Sequence, residues 1–371
     1  MRSWRQFSAC LLRKSVRYTI NVSSLALLTN ILIMPDTPDS SIEAPYFEDF
    51  HIGQTYGGPA TTVTAGHAAL YSALTGDRLR LPLDHSASAR ATGRSEPLAH
   101  PLLAINLAIG QTTWASQRVR ANLFYRGLVL RRQIHLGDTL TTTSKVAGLK
   151  QNRTQAGKPA TGLVVIECTT QDQDGETVLH YWRCPMIPCR AQDAQTGHAD
   201  DVDAVGRAVT HDEMAAVAPT HWQINAATDA PGALDAAKLV PGTRYRVAAR
   251  DTVTAAPELV RMTLNIAMAH TDAAHSFLGE RLVYGGHTIA VAFAQLTRAL
   301  PQLITLLAWE RCDHVGPVYE NDRLRTEFRL TQREPLGGGW LLRLHAETYA
   351  SRGNPETEHS VLDWQLVVWS M

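Results

Sequence analysis

The chain has 371 residues, with 35 Lys and Arg balanced by 35 Asp and Glu and an apolar content of 44%. Together with a mean hydropathy of −0.15, this describes a globular protein long enough for two domains and excludes a disordered or bilayer-embedded chain. Zero formal net charge and a pI near 7.3 argue against a polyanion as the main partner, so no nucleic-acid partner is expected and small-molecule chemistry is favoured.

Residues 1–44 differ from the rest. Arg2, Arg5, Arg13, Lys14 and Arg17 precede the first acid, Asp36, and an apolar stretch runs from Leu25 to Ile33. Asn30 interrupts that stretch and Met34-Pro35-Asp36 follows it, which is not the small-residue cleavage site of a secretory signal. The Arg and Ser content fits a transit peptide, but the apolar end is not amphipathic. The stretch is also too short to span a bilayer, so no membrane partner is expected. The reading adopted is a poorly ordered extension ahead of a natural start at Met34. Cys10, Cys168, Cys184, Cys189 and Cys312 form neither a disulfide framework nor paired zinc knuckles, and point to reduced thiols in a cytoplasmic protein.

From residue 45 the chain reads as two copies of one plan. Thr62-Val63-Thr64-Ala65 recurs as Thr252-Val253-Thr254-Ala255 at an offset of 190, and His100 matches His287 at 187. Gly137-Asp138-Thr139-Leu140 parallels Asn321-Asp322-Arg323-Leu324 at 184, and Trp182 parallels Trp364 at 182. An ordered set with a shrinking offset indicates a duplicated domain. The expected domains are 45–190 and 208–371, joined by the polar linker 191–207. Each copy opens with a short helix, Ala68–Thr75 and Glu258–Ala269. A long helix follows, apolar nearly all round and therefore buried, over Leu98–Trp114 and His287–Leu300. Strands come next. The first copy has Gly162–Thr170 and Val178–Ile187, with a type I′ turn at Asp174-Gly175. The second has Leu324–Leu330, Trp340–Ala350 and Ser360–Trp369, with Gly337-Gly338-Gly339 read as a hairpin loop because it opens no helix.

A buried helix followed by antiparallel strands, twice over, resembles the α+β double hot-dog fold of the MaoC-like dehydratase and hydratase-2 family. Tyr46-Phe47-Glu48-Asp49-Phe50 with Ile52-Gly53-Gln54 is similar to the usual opening of these domains. Leu74-Thr75-Gly76-Asp77 followed by His85 resembles the hydratase motif, in which a T-G-D turn precedes a catalytic histidine. The segments PLLAINLAIGQT, GDTLTTTSKVAGLK and LVYGGHTIAVA are most similar to the mesaconyl-CoA hydratase group, the β-methylmalyl-CoA dehydratases. The resemblance covers nearly everything from Tyr46 to the C-terminus.

The motif departs from the family pattern in both copies. The usual spacing places four residues between Asp and His, whereas seven separate Asp77 from His85. The second copy has the usual spacing, but Asn265 stands in the Asp position ahead of His270. Aligning Asp77 with Asn265 and His85 with His270 implies a three-residue insertion within 78–84. Adding water across a double bond conjugated to a thioester needs a base for the water proton and donors for the enolate oxygen. Asp77 and His85 are expected to be the catalytic pair, because Asn265 can orient a water but cannot take its proton. Leu98, Ala99 and His100, opening the first long helix, are expected to supply oxyanion contacts, subject to Pro97 and Pro101 having no N–H. Asn265, His270, Gly285 and Gly286 are expected to shape the acyl-CoA pocket. Turn and cap roles also account for several of these residues: Gly-Asp after a helix is commonly a cap, and His100 and His287 can cap or pack.

His270, Asp272 and His275 suggest a metal by residue type, but a zinc site needs a further convergent ligand, and no metal or other cofactor is expected. The resemblance implies a reversible hydratase or dehydratase acting on an unsaturated acyl-CoA, with a branched C4–C5 dicarboxylyl chain. The alternatives are a hot-dog thioesterase and a non-catalytic acyl-CoA-binding protein. A homodimer is possible, although two halves of one chain can already supply the hot-dog pairing.

Overall fold

A computed structural model describes residues 42–371, apart from 154–156, 225–233 and 354–356. The extension expected over 1–44 thus lies, as far as residue 41, outside the described residues, as does Cys10. Residues 44–371 form one unit. In its first half, β1 (Thr55–Gly57) and β2 (Thr61–Thr62) lead into α1 (Ala65–Thr75), α2 (Arg80–Leu83), α3 (His85–Thr92) and the central helix α4 (Pro101–Gln111). Four long strands follow: β3 (Ala121–Leu130), β4 (Thr139–Gln151), β5 (Thr161–Gln171) and β6 (Thr177–Pro188). After α5 (His211–Val217) the plan repeats. The second half has β7 (Arg244–Arg246), β8 (Asp251–Thr252), α6 (Ala256–Met262), α7 (Met268–Thr271), the central helix α8 (Gly285–Ala299), β9 (Leu303–His314), β10 (Arg323–Leu336), β11 (Gly339–Ser351) and β12 (Glu358–Ser370).

All long strands are antiparallel and form one sheet in the order β1-β4-β5-β6-β3-β9-β12-β11-β10-β7, with β2 on β4 and β8 on β10. The halves join edge to edge through β3 and β9, from Phe124 opposite Asp313 to Val129 opposite Ala308. That pairing removes two exposed edges. Every residue of α4 is buried, as are twelve of α8. Each large aliphatic side chain so placed is worth about 1.5–3 kcal/mol relative to exposure. The linker 191–207 does not swing free: Val202 and Val205 pack on Phe124, Leu163, Val165 and Cys184, and Asp200 accepts from the Leu149 N–H at 2.8 Å.

Hydrogen bonds align the two halves more closely than residue identity does. Val63 and Val253 each bond the backbone of Asp138 and Asp322, which keeps the offset of 190 there. Asp77 Oδ1 accepts from Leu79 N–H at 2.7 Å and Asn265 Oδ1 from Ala267 N–H at 2.9 Å, an offset of 188. Gln111 Nε2 donates to Leu140 O and Gln295 Nε2 to Leu324 O, an offset of 184. Two sequence matches change as a result. His100 corresponds to Tyr284, not His287, since each is the residue before its central helix. His270 corresponds to Pro82, not His85, since α2 and α7 are in register and end at Asp84 and Asp272, whose carboxylates cap the next helical turn. The extra residues of the first half come after that cap, where the 3₁₀ turn Ala273–His275 is replaced by the longer α3.

The helix expected over Glu258–Ala269 breaks at Thr263–Ala267, where Leu264 has φ 60°. The hairpin after β5 is not a type I′ turn: only Gly175 has positive φ, and the Asp172 carboxylate accepts from the N–H groups of Asp174 and Glu176. A two-residue turn with both central residues at positive φ lies instead at Gly337-Gly338, between Leu336 and Gly339. Cys168, Cys184, Cys189 and Cys312 are free and buried.

Candidate active site

In the first half the structure separates Asp77 from His85. His85 is the first residue of α3 and is exposed. The imidazole beside Asp77 is that of His100: His100 Nε2 lies 3.0 Å from Asp77 Oδ1, and both are buried. The Leu102 N–H donates to His100 Nδ1 at 3.1 Å, so the ring proton is on Nε2, facing the carboxylate. Tyr71 packs on His100 with ring centroids 4.9 Å apart. The oxyanion role expected of Leu98 and Ala99 does not fit, because their N–H groups already donate to Ser88 Oγ and Ile134 O, both within the fold. His100 caps its helix, and Pro101 at the next position has no N–H.

A partly enclosed cavity of about 260 Å³ opens in the second half, and none of Asp77, His85, Leu98, Ala99 or His100 lines it. Its walls include Asn265, His270, Tyr284, Gly285 and His314 from the second half, and Ser116, Arg120, Tyr125 and Arg183 from the first. The sequence pattern places two of these directly. The turn after α6 holds Asn265, whose side chain caps Ala267, and α7 then presents His270. His270 Nδ1 lies 3.1 Å from Leu282 O. A carbonyl only accepts, so Nδ1 carries the proton and Nε2 keeps its lone pair. Burial pushes the His270 imidazole down to about 4, aided by the Arg183 charge, so it is a neutral base at pH 7.

The α8 start differs from the α4 start in the donors it offers. Gly285 and Gly286 occupy its first two positions, where N–H groups have no partner within the helix. A Cβ at Gly285 would sit 2.4 Å from His314 Nε2, and one at Gly286 would sit 2.0 Å from Asn106 Oδ1. Glycine therefore lets His314 and α4 approach this helix end. Burial, together with His270, holds His314 down to about 4. Of the residues expected to shape an acyl-CoA pocket, Asn265, His270 and Gly285 line this cavity, and Gly286 follows Gly285 in α8. Asp272 and His275 pair on the surface at 2.8 Å while His270 turns inward, and no group of three metal-binding side chains occurs among the described residues.

Side chains at or just past the end of each half's central helix hold the other half's turn. Ile266 N–H donates to Thr113 Oγ1 at 3.1 Å, and Arg78 N–H to Thr297 Oγ1 at 3.2 Å. The cavity is therefore composite: second-half motif, first-half strands. Sequence reasoning missed Arg183, Tyr125 and His314, which lie on β6, β3 and β9. Period-2 alternation marks such side chains only as inward or outward, not as cavity-lining.

Two half-sheets, each wrapped on a buried central helix and joined edge to edge, with an imidazole facing the N-terminus of one central helix, define a double hot-dog protein of the MaoC-like class. A conserved hypothetical protein of Mycobacterium tuberculosis with a double hotdog fold superposes with a TM-score of 0.79 at 39% identity, covering 88% of this chain and 99% of that one. A putative MaoC-domain dehydratase from Chloroflexus aurantiacus gives 0.72 at 25% identity, covering 89% and 99%. The mesaconyl-CoA hydratase family model matches residues 30–299, and the chain belongs to that family. It is 30% identical to the β-methylmalyl-CoA dehydratase of Chloroflexus aurantiacus, over 84% of this chain and 89% of that protein. It is 29% identical to the mesaconyl-CoA hydratase of Cereibacter sphaeroides, over 81% and 88%. Among the described residues, no helix is long and apolar enough to cross a membrane.

Proposed function

We propose that the chain is a cytoplasmic hydro-lyase that adds water to the double bond of a mesaconyl-CoA-like thioester, reversibly, in the second-half cavity. The observation that carries this is His270, a neutral imidazole with its Nε2 lone pair free, lining the same cavity as the α8 N-terminus. His270 takes a proton from water while the oxygen forms a bond to the β-carbon. The double-bond electrons move to the thioester oxygen, where the first N–H groups of α8 meet the enolate charge. The imidazolium then returns the proton to the α-carbon, so the elements of water are added and His270 is restored. Asn265 accepts from Ala267 N–H with Oδ1, which leaves its amide NH₂ to orient the water.

The cavity mouth suits a polyanionic carrier. An adjoining opening shares Arg120 and Phe277 and adds Arg118 and His275. Phe277, Leu278 and Val315 are exposed apolar side chains lining the cavity and give the carrier's thiol arm an apolar path. Among the described residues no Asp or Glu lines the cavity, which disfavours a thioesterase that relies on a carboxylate. The test is incubation with mesaconyl-CoA, read by mass spectrometry for gain of water. His270→Gln should lower turnover by about 10²-fold or more, the range for losing a general base, while Asp77→Asn stays within about threefold. Loss of activity in Asp77→Asn with retention in His270→Gln would move the chemistry to the first half.

A further inference from the structure

Arg183 lies in the middle of β6, opposite Tyr125 on β3 and Ile166 on β5, and is 4% exposed. It lines the cavity, yet no Asp or Glu does, and no ion pair involves it among the described residues. Its Nη2 donates to Ser116 Oγ and its guanidinium also reaches the Tyr125 hydroxyl, both neutral groups. Its Nε is buried with no hydrogen-bond partner. A guanidinium removed from water without a counter-charge is costly, and its planar fork matches a carboxylate in two parallel hydrogen bonds. Ser116 and Tyr125 fix the plane of that fork in advance.

Position adds chemical content to the charge. Tyr125 bridges the site, since it pairs with Arg183 across the sheet and its ring meets that of His314 edge-on at 6.0 Å between centroids. His314 in turn lies against Gly285 at the start of α8. One aromatic ring therefore separates the thioester end of the cavity from the guanidinium. A cavity of about 260 Å³ leaves room for a short acyl chain between them. In a mesaconyl thioester the distal carboxylate hangs on the very carbon that receives the hydroxyl.

We propose that Arg183 selects the substrate by pairing with a carboxylate at the far end of a short acyl chain, so that the cavity takes dicarboxylyl thioesters in preference to their uncharged counterparts. This rests on the hydratase reading only for its turnover arm. The first measurement is calorimetric binding of succinyl-CoA and butyryl-CoA, two saturated thioesters of equal chain length that cannot be hydrated. The wild type should bind succinyl-CoA at least about tenfold more tightly. Arg183→Gln should lose that preference through weaker succinyl-CoA binding of about 30- to 10³-fold with butyryl-CoA little changed, the scale for removing one partner of a buried charge pair. Arg183→Lys, which keeps the charge, should retain part of it. The second measurement is the kcat/KM ratio for mesaconyl-CoA over tiglyl-CoA, which should fall in Arg183→Gln by a similar factor. A wild type without preference, or variants that weaken both thioesters equally, would overturn the assignment and leave Arg183 a strand-bracing residue. A wild type that prefers succinyl-CoA but hydrates neither unsaturated thioester would support Arg183 as the selector and refute the hydratase reading.

Discussion

Gly110, near the end of α4, lies against the turn at Thr263–Asn265 of the second half, and replacing it with alanine tests how the first half supports the second-half site. A Cβ built there would lie 1.6 Å from the Thr263 carbonyl oxygen, 2.8 Å from the Thr263 carbonyl carbon and 3.3 Å from the Asn265 N. These are backbone atoms, so no side-chain rotation relieves the contact. Restoring an ordinary separation of about 3.4 Å requires the turn and α4 to part by about 1.8 Å. The same turn is tied to the 3₁₀ segment just after α4 by the bond from Ile266 N–H to Thr113 Oγ1, and it carries Asn265 and leads to His270. Overpacking costs about 1–3 kcal/mol, against roughly 1 kcal/mol gained from alanine's better helix propensity. The net loss in urea unfolding should be about 0–2 kcal/mol. Activity should suffer more, because a misplacement of about 1 Å at a catalytic group costs on the order of 10²-fold. The equivalent position in α8 is Ala294, so the close approach belongs to one side of the pseudo-twofold only. A Gly110→Ala protein with raised stability and unchanged kcat/KM would refute the claim that this contact sets the position of Asn265 and His270.

Two further outcomes concern stability. His287 is 1% exposed and burial holds its imidazole down to about 4, so folded and unfolded chains bind equally few protons only well above the ordinary value of 6.5. As pH falls from 6.5 towards 4, the unfolded chain takes a proton that the folded one refuses. Stability then drops by up to about 1.4 kcal/mol per pH unit from this group and levels off below 4. His270 and His314 act in the same direction. Urea midpoints at pH 7 and pH 5 should differ less in His287→Gln than in the wild type, and an equal difference would exclude His287 as a source. Gly338 has φ 80° with open space around its Cα, so Gly338→Ala should cost about 1–2 kcal/mol through backbone conformation alone. Substitution with Asn, which tolerates that region, should recover part of the loss in the same urea titration.

The amino-acid order by itself determined the elements whose signals are local. Apolar residues all round PLLAINLAIG indicate a buried helix, and the β-branched run in GLVVIECTT indicates a strand, because both signals lie within one segment. The duplication was also legible, since Thr62–Ala65 and Thr252–Ala255 repeat as words. The pairing of Asp77 with Asn265 survived in the structure because each side chain caps its own turn two residues on. Three things were decided only by tertiary structure. The location of the extra residues in the first half depends on where Asp84 and Asp272 begin the next helix, and this made Pro82, not His85, the counterpart of His270. The β3–β9 pair that fuses the halves joins residues about 180 positions apart, and nothing local distinguishes an edge that meets another edge from one that meets water. Arg183 became a buried charge of the cavity wall without a counter-charge because, among the described residues, no carboxylate pairs with it. That property belongs to everything surrounding the residue in space, and no window of sequence around it contains the information.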